Sequence, residues 1–191
     1  MNTLWTTAWR AALPWLLLPL TLAGCWSYIS TEAQSRFQGR TAPLSVTVYP
    51  VNVVKGNQLV HDVDLAQKIL ALLREEKLAA PVLTTTPAEL PVQWRANQAK
   101  MAQHSAKAFA ETVKKDVIQT DYALLAEILC NADETQVMGV HYYLSDRGGQ
   151  LAVGGLVNSH WDEFKQVQPR DRQGGYEVLV RMLRTNWKRG G

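Results

Sequence analysis

Residues 135–159 read TQVMGVHYYLSDRGGQLAVGGLVNS, and this stretch decides the fold. Two apolar segments, about Thr135–Ser145 and Gln150–Ser159, flank the tetrapeptide Asp146-Arg147-Gly148-Gly149. Glycine and aspartate favour tight turns, and β-branched and aromatic residues favour strands. The pattern therefore predicts a β-hairpin.

A hairpin with Ser145 opposite Gln150 separates the side chains into two faces. The first face is wholly apolar and collects Met138, Val140, Tyr142, Leu144, Leu151, Val153, Gly155 and Val157. The second face holds no Lys, Arg, Asp or Glu and consists of Val137, Gly139, His141, Tyr143, Ala152, Gly154, Leu156 and Asn158. A solvated sheet face usually carries charged side chains, so we expect this second face to be covered.

The cover can come from within the chain or from a partner. The internal candidate is the C-terminal helix, through Tyr176, Leu183 and Trp187. The external candidates are a second copy of the chain or another protein. We therefore treat four residues of the second face as candidate partner-binding residues: His141, Tyr143, Leu156 and Asn158.

The remaining elements follow from hydrophobic periodicity. In the first half of the chain we predict a strand at 44–49, a turn at 55–57, a helix capped by Asp62 or Asp64 that runs to about Lys77, and an edge strand at 82–85. A helix at 96–119 and an apolar strand at 121–130 follow. After the hairpin we predict a final helix from Tyr176 to Trp187. A helix is the competing interpretation of 121–130, but a helix has just ended before it. The fold class is α/β or α+β, as a single domain whose mixed sheet of about five strands carries a C-terminal β-hairpin and three packed helices.

Two motifs within this order carry a family resemblance. The valine-rich strand at 45–51 and the sequence Asp121-Tyr122-Ala123-Leu124, which opens a strand after a helix, resemble the amino-terminal domain of TolB and its relatives, including CsgG and LpoB. The resemblance covers roughly Leu44 to Trp187. It implies an envelope scaffold with no shared catalytic residues, and the rings formed by relatives of CsgG imply that a homo-oligomer is one option.

The N-terminal segment predicts that the protein is located in the cell envelope. Leu22-Ala23-Gly24-Cys25 closes the apolar run 11–23, which follows Arg10 and is interrupted by two prolines. This run is too short for a spanning helix and has the small-residue exit of a secretory signal. The tetrapeptide resembles the lipobox of bacterial lipoproteins, which implies cleavage before Cys25 and acylation of that residue.

The lipobox divides the chain into a signal peptide at 1–24, a lipidated tether at 25–43 and a periplasmic domain at 44–191. The tether is predicted because its polar residues show no sustained period. In the lipoprotein family, Asp directly after the cysteine favours the inner membrane. The residue here is Trp26, which implies anchoring in the outer membrane, facing the periplasm.

Catalytic and metal-binding patterns are missing from the sequence. The predicted register keeps His141 and His160 too far apart to share one ion, and Cys130 lies in an apolar strand where a thiol stays protonated. No Gly-x-Ser-x-Gly motif occurs, and a net charge of +3 gives no nucleic-acid signature. We therefore predict no metal, no cofactor, no nucleic-acid partner and no enzymatic activity.

The segment from Asn158 to Phe164 is the remaining candidate site. Its polar groups and two aromatic residues at a strand exit can bind a ligand or partner, which adds His160 and Trp161 to the candidates. The alternative is that Trp161 and Phe164 close the core. We predict a non-enzymatic lipoprotein that contacts an envelope protein or a second copy; the rival hypothesis is a periplasmic hydrolase or ligand-binding protein that uses Asn158, His160 and Trp161.

Overall fold

A computed structural model describes residues 29–40, 43–90 and 97–188. Five helices and seven strands follow one another in the order α1 (Thr31–Gln38), β1 (Leu44–Val48), β2 (Val51–Lys55), β3 (Gln58–Asp62), α2 (Val63–Glu75), β4 (Ala79–Leu83), α3 (Gln98–Asp116), β5 (Tyr122–Cys130), β6 (Val137–Asp146), β7 (Leu151–Asn158), α4 (Asp162–Val167) and α5 (Arg172–Lys188). The predicted lipobox and signal peptide lie outside the described residues.

All seven strands form one mixed sheet with β5 at its centre. One edge of β5 pairs with β1 and β2, both parallel to it, and the other edge pairs with β6, antiparallel to it. The sheet continues outward through β4 beside β1, β3 beside β2 and β7 beside β6. The predicted fold class, a single mixed α/β domain, is confirmed.

The strand count exceeds the predicted five because two strands that were not predicted, β2 and β3, follow the predicted first strand at 44–49. Tyr49 and Pro50 separate β1 from β2, and proline has no N–H to donate to a ladder. The strands on either side of this break have different outer neighbours in the sheet: β1 pairs with β4, whereas β2 pairs with β3. The predicted turn at 55–57 joins β2 to β3, with Gly56 at φ +55°. Asp62 is the predicted cap of α2, since its carboxylate accepts a hydrogen bond from Leu65 N.

Helices cover the two faces of the sheet. On one face, α2 and α5 share a core with the strands that includes Ile69, Val140, Tyr142, Leu179 and Leu183. On the other face, α3 packs Phe109 and Val113 against strand residues that include Leu125, Tyr143 and Leu151. The second hairpin face is therefore covered from within, but by α3. The prediction that α5 covers it is wrong, because α5 packs on the first face.

The predicted hairpin is confirmed, but its register is shifted by two residues. His141 lies opposite Leu156, not Gly154 as predicted, and Tyr142 lies opposite Gly155. Two irregularities, at Leu129/Cys130 and at Leu144/Ser145, further alter the ends of the strands. As a result, Met138 and Leu151 pack with residues of α3 rather than on the first face, and Val137 and Ala152 lie on the α5 side.

Helix α1 corrects the prediction of a tether for residues 31–38. Ser30 caps it by accepting a hydrogen bond from Ala33 N. Ala33 is 0 % exposed and Phe37 is 2 % exposed, and the Phe37 ring packs edge-on against Tyr122 and Trp187. The physical reason is that two apolar residues four positions apart suffice to dock a short helix, although they form no sustained period. The short helix α4, like β2 and β3, is also absent from the predicted order of elements.

Candidate functional site

An open groove lies at the end of the sheet opposite the turn between β6 and β7. Its volume is about 490 Å³, and its walls are Asn97, Gln98, Ala99, Met138, Leu156, Asn158, Ser159 and His160. The first residues of α3 form one wall, and the exit of β7 forms the other. The groove thus joins parts of the chain that are about sixty residues apart in sequence.

Hydrogen bonds fix the polar walls of this groove. Asn158 Nδ2 donates to Gln98 Oε1 at 2.8 Å, and Gln98 Nε2 donates to the Met138 carbonyl at 3.0 Å. Asn158 Oδ1 accepts from His160 N at 3.1 Å. Asn158 therefore works as a structural bridge between strand and helix, whereas the His160 side chain is exposed to solvent.

The predicted site residues fall into two groups. Leu156, Asn158 and His160 line the groove, and Trp161 follows directly with 49 % of its surface exposed. The interpretation that Trp161 closes the core is wrong, although Phe164 does so at 7 % exposure. His141 and Tyr143 are 0 % exposed beneath α3, so the groove does not include them.

A row of polar side chains crosses the buried sheet face under α3. Paired positions on β3, β2, β5 and β6 place His61, Asn52, Glu127 and His141 side by side. His61 Nδ1 lies 2.8 Å from Asn52 Oδ1. Neither Asn52 nor Glu127 is among the predicted site residues; the available signal was Glu127, the single charged residue within the strand β5.

Tyr143 joins the row through Glu127. Its hydroxyl donates to Glu127 Oε2 at 2.8 Å and lies 3.2 Å from His141 Nδ1. His141 Nδ1 is 3.5 Å from the same carboxyl oxygen, and His141 Nε2 is buried with no hydrogen-bond partner among the described residues. Glu127 is only 2 % exposed and His141 and Tyr143 are 0 % exposed, so these three side chains form a buried polar network across neighbouring strands.

Cys130 is the buried free thiol that its apolar strand predicts. Burial, with a smaller contribution from the nearby Glu134 carboxylate, raises the pKa of the thiol to about 11. The thiolate is the reactive form of cysteine, so Cys130 is chemically inert at neutral pH.

Within residues 29–40, 43–90 and 97–188, no three His, Cys, Asp or Glu side chains come together as a metal site. In the same ranges, no helix combines the length and the apolar character needed to cross a membrane.

Comparisons with known proteins identify no family for the chain. No family model matches it, and neither does any curated protein. Among solved structures, one match is the C-terminal domain of LpoB from Salmonella enterica. That match has 15 % identity and a TM-score of 0.35, and it covers 66 % of this chain and 94 % of the other. A likeness of this strength supports no assignment of function.

Proposed function

We propose that this protein is a lipid-anchored component of the cell envelope that acts through protein contacts rather than catalysis. The observation that carries the proposal is the sequence Leu22-Ala23-Gly24-Cys25 at the end of a short apolar run. Acylation of Cys25 would hold the domain at the membrane, since each buried methylene of a lipid chain contributes about 0.8 kcal/mol. Trp26 after the cysteine favours the outer membrane.

Replacement of the anchor residue tests this proposal. Cys25→Ser should abolish incorporation of labelled palmitate and release the protein from salt-washed membranes. Cys130→Ser is the matched control, because it removes the other cysteine and should leave both properties unchanged. Persistent membrane association of Cys25→Ser after the salt wash would contradict the lipid anchor.

The location within the envelope has its own test. Trp26→Asp places an acidic residue directly after the acylated cysteine, and we expect the protein to move from the outer-membrane to the inner-membrane fraction. An unchanged distribution across a density gradient would contradict the outer-membrane assignment.

The partner contact is proposed at the groove, because His160 and Trp161 are exposed there while Asn158 holds the walls in place. A photo-crosslinking residue at position 161 should capture an envelope protein or a second copy of the chain. The same probe at Val82, which is 56 % exposed on the edge strand β4, should not. Turnover of a small molecule that His160→Ala abolishes would instead support the rival hydrolase hypothesis.

A further inference from the structure

We infer that the domain stands on the membrane with a fixed polarity: the turn between β6 and β7 rests on the lipid surface, and the groove points away from it. This inference rests on the proposed acylation of Cys25. The turn contacts the same lipid surface that holds the acylated Cys25. The length of the chain between Cys25 and Ser30 carries the inference, because hydrogen bonds hold Ser30 beside the start of β7.

Ser30 is hydrogen-bonded to the start of the second hairpin strand. Its N–H donates to the Leu151 carbonyl at 2.8 Å, and its hydroxyl bonds to Gln150 Oε1 at 3.2 Å. Docking of α1 through the buried Phe37 holds it there. Only four residues, 26–29, separate Ser30 from Cys25. A trans peptide spans at most about 3.6 Å per residue, so the anchor reaches no farther than about 18 Å.

The place where Ser30 is held defines the end that faces the membrane. Ile29 and Ser30 lie in a surface cavity of about 610 Å³ between the middle of α3 and the start of β7. Gly149, in the turn between the two hairpin strands, lines the same cavity. A reach of about 18 Å therefore brings this turn, with the exposed Arg147, close to the lipid surface.

The groove lies at the other end of the same strand. From Leu151 to Asn158, β7 advances seven residues, which at about 3.3 Å each gives about 23 Å. His160 and Trp161 continue beyond that point. A partner that binds the groove must therefore reach it at this height above the membrane.

Local charge alone does not provide the orientation. Arg36 is paired with Glu32 and Asp146, and Lys114 is paired with Glu111. These acidic residues offset cations around the turn, so electrostatic attraction to lipid headgroups is weak there. We assign the orientation to the short connection and expect little effect from reversed charges.

Fluorescence quenching of the lipidated full chain in phosphatidylcholine vesicles tests the orientation. A fluorophore is attached to Arg147→Cys or to Trp161→Cys, and a small fraction of the lipid carries a quencher on its headgroup. The buried Cys130 thiol stays unlabelled. We expect at least about threefold stronger quenching at position 147, because position 161 lies about 23 Å farther along β7. Equal or reversed quenching would overturn the inference.

Two further variants separate the tether from charge. Ten Gly and Ser residues inserted between Ser27 and Tyr28 add about 18 Å of flexible reach, and we expect the difference in quenching to collapse. Lys107→Glu combined with Lys114→Glu should preserve the difference, also in vesicles to which anionic phosphatidylglycerol has been added. The inference is contradicted if the difference survives the insertion or disappears in the charge-reversed variant.

The failure of the anchor can be distinguished from the failure of the orientation. Palmitate labelling and membrane release of Cys25→Ser are measured before reconstitution, so an unacylated Cys25 contradicts both the anchor and the inference that depends on it. An acylated protein with equal quenching at the two positions contradicts only the orientation.

Discussion

Helices cover both faces of the central sheet, but the two faces bury different kinds of side chain. The face under α5 buries mostly apolar side chains, among them Val140 and Leu144, together with the hydroxyl of Tyr142. The face under α3 buries a carboxyl group, a histidine and a tyrosine hydroxyl beside its apolar residues. The first face depends on the exclusion of water, whereas the second also depends on hydrogen-bond partners being in place.

Because of this difference, we expect different substitutions to destabilise the two faces. A polar substitution on the α5 face introduces a group with no partner. On the α3 face, the loss of one hydroxyl leaves another buried group without its partner. Substitutions of Val140, Tyr143 and Glu134 test this contrast, in order of decreasing effect.

The largest effect is expected for Val140→Asp on the α5 face. Val140 is 0 % exposed, and a buried, unpaired carboxylate costs about 3–5 kcal/mol. The variant should unfold or lose most of its stability in urea titration. Val82→Asp, on the exposed edge strand, is the control and should change the free energy of unfolding by no more than about 0.5 kcal/mol. Equal stability of Val140→Asp and the native protein would contradict the position of Val140 in the core.

An intermediate effect is expected for Tyr143→Phe on the α3 face. The substitution removes the donor to Glu127 Oε2, and we expect a loss of about 1–3 kcal/mol in the free energy of unfolding. Tyr176→Phe is the control, because its hydroxyl is bound at 3.3 Å to a carbonyl on the exposed surface and contributes little.

A double variant sharpens this second prediction. Glu127→Leu in the Tyr143→Phe background removes the carboxyl group that has lost its donor. We expect it to recover part of the lost stability, so that the two substitutions are not additive. Additive losses would show that the hydroxyl and the carboxyl contribute independently.

The smallest effect is expected at the edge of the α5 face, where Glu134 joins Lys55 to Arg172, the first residue of α5. Hydrogen bonds from Lys55 and Arg172 lower the pKa of the Glu134 carboxyl. A lowered pKa in the folded state stabilises the protein above the unfolded pKa of about 4.3, and this contribution disappears as pH falls through the folded value.

Glu134→Gln should therefore be less stable than the native protein at pH 7, and the difference should be smaller at about pH 3. The measurement is the urea midpoint at both pH values. Glu111→Gln, which breaks an exposed pair with Lys114, is the control and should have no measurable effect at either pH. A difference for Glu134→Gln that is equally large at both pH values would rule out this linkage.

Periodicity predicts the faces of the hairpin better than its register. The predicted pairing is wrong by two residues, yet Val140, Tyr142 and Leu144 still share a face, because a shift of two returns each side chain to the same side. The irregularities that move Met138 and Leu151 depend on neighbouring strands and leave no trace in the alternation.

Tertiary choices account for the other corrections. Both α3 and α5 carry an apolar stripe, but the spacing of the apolar residues does not predict which face of the sheet each helix covers. The groove shows the same limit: Asn158 and His160 are visible as polar residues at a strand exit, but Gln98 joins them only because α3 packs across the sheet. The sequence therefore predicts one wall of the groove and not the other.

The central position of β5 has a consequence for how the chain folds. Its neighbours β1 and β2 come from about 75 residues earlier, and β6 comes after it, so among the described strands β5 is the one that connects the early strands to the late hairpin. A chain truncated before Tyr122 would keep only two-stranded ribbons, which are marginally stable by themselves, and would leave β1 and β2 as open edges that can aggregate. Complete folding therefore waits for residues far apart in sequence to meet, which favours slow folding and a single cooperative unfolding step.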